Sequence, residues 1–142
     1  MQTVLHVYAS LLLVTGQHLV VSQPSYTGTC QPMATSMCDT MPYNRAFMPN
    51  RYGHTETDEA VLEVQQFLPV VESGCSPALR PFLCSLYLPS CSPRGGGLQP
   101  CAGLCRRARG SCDSVMESFG YVWPRSLDCH NFPENYRCFD IE

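Results

Sequence analysis

Ten cysteines are the side chains in this 142-residue chain best able to do chemistry, and eight of them fall between Cys75 and Cys138. A thiol can attack a substrate, ligate a metal or pair with another thiol. Nucleophilic hydrolysis needs a base and an orienting group beside the attacking atom, and the chain has no nucleophile-elbow or zincin signature. The acidic pair Asp58-Glu59 falls at an expected helix start, where capping accounts for it. A zinc site asks for Cys and His clustered at short spacing. There is no Cys-x2-Cys pair, and His54 and His130 stand far apart. What remains is oxidation in pairs. An even number of cysteines at this density implies an oxidising compartment and a framework of five disulfides, with no catalytic residue, metal or cofactor expected. Ten cysteines allow many pairings, so spacing leaves the connectivity open.

The compartment agrees with the N-terminus. Val4 to Val14 is an apolar stretch broken by His6, Tyr8 and Ser10, with no Lys or Arg before it. Val20 and Ser22 suit a signal peptidase, so residues 1–22 read as a signal peptide cleaved after Ser22. A membrane anchor is the rival reading, but the stretch is short and Gln17 and His18 interrupt its extension. No later segment approaches about 18 consecutive apolar residues, so no transmembrane segment is expected. Residues 23–29 read as a flexible lead-in, 30–138 as one domain and 139–142 as a tail. The formal charge is −3 and every basic residue is an arginine, a balance that argues against a nucleic-acid surface. The expected location is extracellular. Ser92-Pro93-Arg94-Gly95-Gly96-Gly97 reads as an exposed loop, since no Lys-Ser or Lys-Thr follows to make it a phosphate cradle.

Three helices must position the cysteines. Thr55 with Asp58 three residues later can open the first, whose apolar face is Ala60, Val61, Val64, Phe67 and Leu68; Pro69 should end or kink it. The second begins at Ser76 and Pro77 and carries Leu79, Phe82, Leu83, Leu86 and Tyr87. Pro81 fits poorly inside it, so either the helix starts later or its first turn is distorted. The third is the clearest. Cys101, Leu104, Cys105, Ala108, Cys112, Val115, Met116 and Phe119 form one stripe at a 3.6 period, with Pro100 before it and Gly120 as its C-terminal cap. Arg106, Arg107 and Arg109 lie off the stripe, on a solvated face. Extended pieces at Cys30–Met33 and around Tyr43 can pair. The expected class is mainly α with a small β element.

The spacing Cys30-x7-Cys38-x36-Cys75-x8-Cys84-x6-Cys91-x9-Cys101-x3-Cys105-x6-Cys112-x16-Cys129-x8-Cys138 resembles the cysteine-rich domain of frizzled receptors and secreted frizzled-related proteins. Tyr43-Asn44, Met48-Pro49-Asn50, Gly53-His54-Thr55, Cys75-Ser76-Pro77, Phe82-Leu83-Cys84-Ser85, Tyr87-x-Pro89-x-Cys91 and Trp123-Pro124 look like landmarks of the same family. The likeness runs over essentially all of residues 30–138. It implies the disulfides Cys30–Cys91, Cys38–Cys84, Cys75–Cys112, Cys101–Cys138 and Cys105–Cys129.

The resemblance also implies a partner, a lipid-modified Wnt protein, whose palmitoleoyl chain such domains accept in an apolar groove. Carried over by position, the groove residues are Gln66, Phe67, Pro69 and Val70 after the first helix, and Met116 and Tyr121 at the third. The rival reading of Phe67, Val70 and Met116 is that they are simply core, and the resemblance tips the balance to the groove. The family's other Wnt contact uses an aromatic where this chain has Pro81, leaving Leu86 and Tyr87 for that surface. Asn44-Arg45-Ala46 departs from the family's usual glycosylation acceptor, and no Asn-x-Ser/Thr occurs anywhere. Two other readings stay open: a sterol- or fatty-acid-binding module like that of Smoothened, and an adhesion module without Wnt binding. Free fatty acid and a second copy of the domain are further candidate partners.

Overall fold

In the computed structural model, which describes residues 27–141, every cysteine is paired. The bridges are Cys30–Cys91, Cys38–Cys84, Cys75–Cys112, Cys101–Cys138 and Cys105–Cys129, with Cα–Cα distances of 5.9, 5.6, 5.2, 5.0 and 5.5 Å. These separations are ordinary for cystine, so the backbone brings each pair together without being dragged. The proposed signal peptide and most of the lead-in lie outside the described residues.

The element order is β1 (Thr29–Pro32), β2 (Arg45–Met48), α1 (Thr57–Val64), a 3-10 turn (Gln65–Phe67), α2 (Leu68–Glu72), α3 (Leu79–Tyr87) and α4 (Ala102–Ser118), followed by two 3-10 turns at Arg125–Leu127 and Cys129–Asn131. The chain is thus helical with one two-stranded antiparallel sheet, in which Cys30 faces Phe47 and Gln31 faces Ala46. The strand partner begins two residues beyond Tyr43, which instead sends its hydroxyl to the Leu88 carbonyl at 2.7 Å. The buried phenol of Tyr43 is pushed well above its ordinary pKa.

Prolines explain where the helices break. Pro69 has no N–H to give the Gln65 carbonyl, so Leu68 donates to it instead and the chain tightens into a 3-10 turn before α2 resumes. Pro81 is the third residue of α3, inside the first turn, where backbone N–H groups have no intrahelical partner and nothing is lost. The second helix therefore starts later than Ser76, at Leu79. Ser76 caps the turn before it, accepting the Ala78 N–H at 3.2 Å and donating to the Arg107 carbonyl at 2.8 Å.

Helix α3 is the buried spine, exposed only in part at Arg80. Against it α4 lays Leu104, Cys105, Ala108, Cys112 and Met116, all buried. The stripe does not continue to Phe119. That ring is 47% exposed, because α4 ends at Ser118 and the chain turns at Phe119. The Phe82 ring stacks on Trp123 at 5.5 Å and meets the edge of Phe132 at 5.6 Å, which locks the segment after α4 onto the core. On the outer face Arg106 pairs with Glu134, Arg107 with Asp140, and Arg109 with Asp113 and Asp128. Residues 139–141 are not loose. Phe139 donates to Gln99 at 2.7 Å and accepts from Cys101 at 2.8 Å, and its ring is buried.

Helix α4 closes with two reversed bonds: Gly120 N–H to the Glu117 carbonyl at 3.0 Å and Tyr121 N–H to the Met116 carbonyl at 2.9 Å. This arrangement requires a left-handed residue, and Gly120 has φ of 82°. No atom crowds the position, so Gly120→Ala should act through the backbone alone, costing about 1–2 kcal/mol and roughly 3–8 °C in Tm by thermal unfolding. Gly120→Asn should cost less.

Helix α1 opens one residue later than the sequence implies, with Glu56 as N-cap and Glu59 completing the box. The Glu59 carboxylate accepts the N–H groups of Thr55 at 2.9 Å and Glu56 at 3.4 Å, and these bonds hold its carboxyl below the usual range. A depressed carboxyl stabilises the fold above its unfolded-state value of about 4.3 and loses that contribution as pH falls through the lower folded value. The Tm gap between the natural chain and Glu59→Gln should therefore be full at about pH 6 and close toward about pH 3, read by calorimetry.

Candidate functional site

The break at Pro69 builds the first wall of an apolar hollow. The tight turn at Gln65–Phe67 aims the half-buried Phe67 ring inward, and leaves the Gln66 carbonyl free to accept the Tyr121 hydroxyl at 3.1 Å. That bond links α1 to the exit of α4, where the glycine turn delivers Tyr121. The rings of Phe67 and Tyr121 lie 5.1 Å apart, and those of Phe67 and Tyr87 6.2 Å apart. Together with Leu83, Met116 and Trp123 they enclose a cavity of about 310 Å³. This is the low end of the size at which small-molecule sites occur, roughly 300–1,000 Å³. Met116 forms the floor, buried at the last turns of α4, and its thioether can adapt to an irregular apolar guest.

The rim is polar at one end. Tyr52 stacks on Tyr87 with ring centres 4.5 Å apart. Asn50 holds the loop that carries Tyr52: its Oδ1 accepts the N–H groups of Tyr52 and His54, and its Nδ2 donates to the Tyr87 carbonyl at 2.8 Å. Glu63 also reaches the hollow, accepting the Tyr87 hydroxyl at 3.3 Å. Burial pushes the Tyr87 phenol well above its ordinary pKa, and the neighbouring Tyr52 and Glu63 push it the same way. Tyr87 is therefore a neutral hydroxyl donor across the physiological range.

The residues singled out from the sequence part company here. Phe67, Met116 and Tyr121 line the hollow together, and Tyr87, assigned to the second surface, joins them. Val70 is fully buried in the core behind the turn, while Gln66 and Pro69 face solvent outside it. Leu86 is buried too. Pro81 lies on a separate and more open hollow of about 420 Å³, with Met41, Val71, Pro77 and Ile141. Sequence reasoning missed Tyr52, Glu63, Leu83, Val122, Ser126 and Leu127 as lining residues. Trp123 and Pro124 were legible as landmarks, and their dipeptide was the available signal. Among the described residues, no group of three or more His, Cys, Asp or Glu side chains could hold a metal ion, and no helix is long and apolar enough to cross a membrane.

Comparison with known proteins supplies the remaining constraint. The family model described as "Fz domain" matches residues 30–136. The chain is 47% identical to Frizzled-1 of Xenopus laevis over 115 residues, which is 81% of this chain and 20% of that protein. It thus spans about a fifth of that relative's length. Among solved structures it resembles the selenomethionine-labelled Smoothened cysteine-rich domain, with a TM-score of 0.54 and 24% identity, covering 78% of this chain and 97% of that one. It also resembles the Xenopus Smoothened cysteine-rich domain in complex with cyclopamine, at 0.57 and 25%, covering 75% and 96%. With the family model matched over three quarters of the residues and the cysteine framework closed as five bridges, the chain belongs to the Fz domain family, the cysteine-rich domains of the frizzled type.

Proposed function

We propose that this chain is an extracellular Wnt-binding module whose hollow accepts the palmitoleoyl chain of a lipid-modified Wnt, working by binding and not by catalysis. The observation that carries the reading is the convergence of Phe67, Tyr87, Met116 and Tyr121 on one apolar cavity in a frizzled-type domain. An acyl chain needs a continuous trough that water fills poorly. Burying roughly ten methylenes yields about 8 kcal/mol gross at ~0.8 each, from which the costs of ordering the complex are subtracted. Gln66 and Pro69, exposed on the outer side of the same turn, would meet the Wnt polypeptide around the acyl chain. Val70 would hold the Phe67 turn from behind. The hollow beside Pro81 is the remaining candidate for a second protein contact. The same module serves as the ligand-gathering part of a receptor or as a free decoy.

A second reading is sterol binding, favoured by the likeness to a Smoothened domain solved with cyclopamine. The two readings separate in one experiment on the purified disulfide-bonded chain. Acylated Wnt should bind, delipidated Wnt should not, and Phe67→Glu should weaken binding by roughly 30-fold or more, as loss of a central apolar anchor does. Thermal unfolding of the variant checks that it folds. Displacement of a fluorescent C16:1 fatty acid by cholesterol, with no effect from acylated Wnt, would replace the first reading by the second. No saturable lipid binding at all, with partner binding intact in Phe67→Glu, would favour an adhesion module.

A further inference from the structure

We propose that Glu63 makes the hollow select uncharged long-chain lipids, esters and alcohols, over free fatty acids; the proposal rests on the groove reading above. Among the described residues that line the hollow, Glu63 alone carries a charged side chain. It stands on the rim together with the exposed Tyr52 and Val122: its side chain is 44% exposed, whereas Met116 on the floor is 4% exposed. A lipid with its tail on Met116 therefore brings its polar end to the rim that carries this carboxylate.

The carboxylate is fixed in place. One oxygen accepts the Tyr87 hydroxyl at 3.3 Å and the other lies 2.7 Å from His54 Nε2. The His54 ring is oriented in turn, because its Nδ1 lies 2.8 Å from Asn50 Nδ2. That Asn50 nitrogen also donates to the Tyr87 carbonyl, which marks it as the amide NH2 group. An amide NH2 only donates, so the ring nitrogen facing it accepts and Nε2 carries the proton toward Glu63. Both partners of Glu63 are then neutral donors, and a full negative charge remains at the rim. Arg51 makes no ion pair with Glu63 and is not among the lining residues: its guanidinium sits over the Phe132 ring, 5.0 Å from the centroid, and donates to the Ser126 carbonyl at 3.5 Å.

A free fatty acid at neutral pH carries a carboxylate and meets like charge beside a poorly hydrated cavity. An ester carries none. An alcohol can do better than neutral, because each carboxylate oxygen has two lone pairs and Glu63 has spent one on each side, leaving acceptors for a lipid hydroxyl. The acyl chain of a lipid-modified protein, whose ester, thioester or amide linkage is uncharged, falls in the favoured class.

The test measures binding of C16:1 free acid, its methyl ester and the corresponding alcohol to the intact domain, below their aggregation limits, at about pH 7.4 and about 0.15 M salt. The expected result is an acid roughly 5- to 10-fold weaker than the ester in the natural chain, with Glu63→Gln bringing that ratio within about twofold. The half-exposed position sets this modest scale. An acid that binds the natural chain as tightly as the ester, or a ratio unchanged in Glu63→Gln, overturns the proposal and leaves the groove reading standing. Binding of none of the three lipids removes the groove reading and this proposal with it. The natural chain alone decides the first point, so the outcome does not depend on the variant folding.

Discussion

Helix α4 is held by covalent bonds along its length, and the rest of the domain is arranged around that constraint. Cys101 at its start, Cys105 one turn on and Cys112 near its middle are each bridged to a different segment: Cys138, Cys129 and Cys75. A helix tied at three points cannot slide or rotate against those segments, so its last turn holds Met116, and its exit Tyr121, at fixed positions. The remaining bridges fix β1 to the segment after α3, and the loop at Cys38 to α3 itself. Each crosslink restricts the unfolded chain and contributes typically about 2–4 kcal/mol. Cohesion of that kind does not require every apolar side chain to be enclosed. A small domain held by packing alone would be expected to close over the gap between Phe67, Tyr87 and Tyr121; here the framework lets it stay open.

The position of each wall follows from a backbone device rather than from the aromatic residue itself. Pro69 forces the 3-10 turn that points Phe67 inward, and Gly120 allows the reversed turn that brings Tyr121 back over it. Asn50, buried and satisfied on both ends of its amide, sets the loop that lays Tyr52 on Tyr87. Residues outside the cavity lining thus define its shape, and they draw on the oldest rules of chain stereochemistry.

Much of the fold was legible because α4 obeys one period without interruption, and because Pro69 and Gly120 are strong punctuation. The starts of α1 and α3 were less so. Thr55 is the better cap by residue type, but Glu59 stands at the box position only for a helix capped at Glu56. Pro81 conflicts with a helix beginning at Ser76 and is harmless in one beginning at Leu79, a choice that depends on where α3 docks. Strand β2 is four residues long, too short for its alternation to compete with the aromatic at Tyr43. In the hollow, residue type could not separate lining from core: Val70 and Phe67 sit three apart on one apolar run, yet only Phe67 reaches the cavity. Tyr52 and Glu63 were invisible as neighbours of Tyr87 because 24 residues or more separate each from it, and only the folded loop brings them together.

The anchoring of the final residues has a directional consequence. Arg107 pairs with Asp140 and donates to the Ile141 carbonyl at 3.0 Å, so the polypeptide departs along the Arg107 side of α4. Nine positions separate Arg107 from Met116, which at about 100° per residue is half a revolution of the helix. Ile141 therefore lies on the side of α4 turned away from Met116. The cavity looks the other way, and among the described residues the C-terminal segment stays clear of its lining.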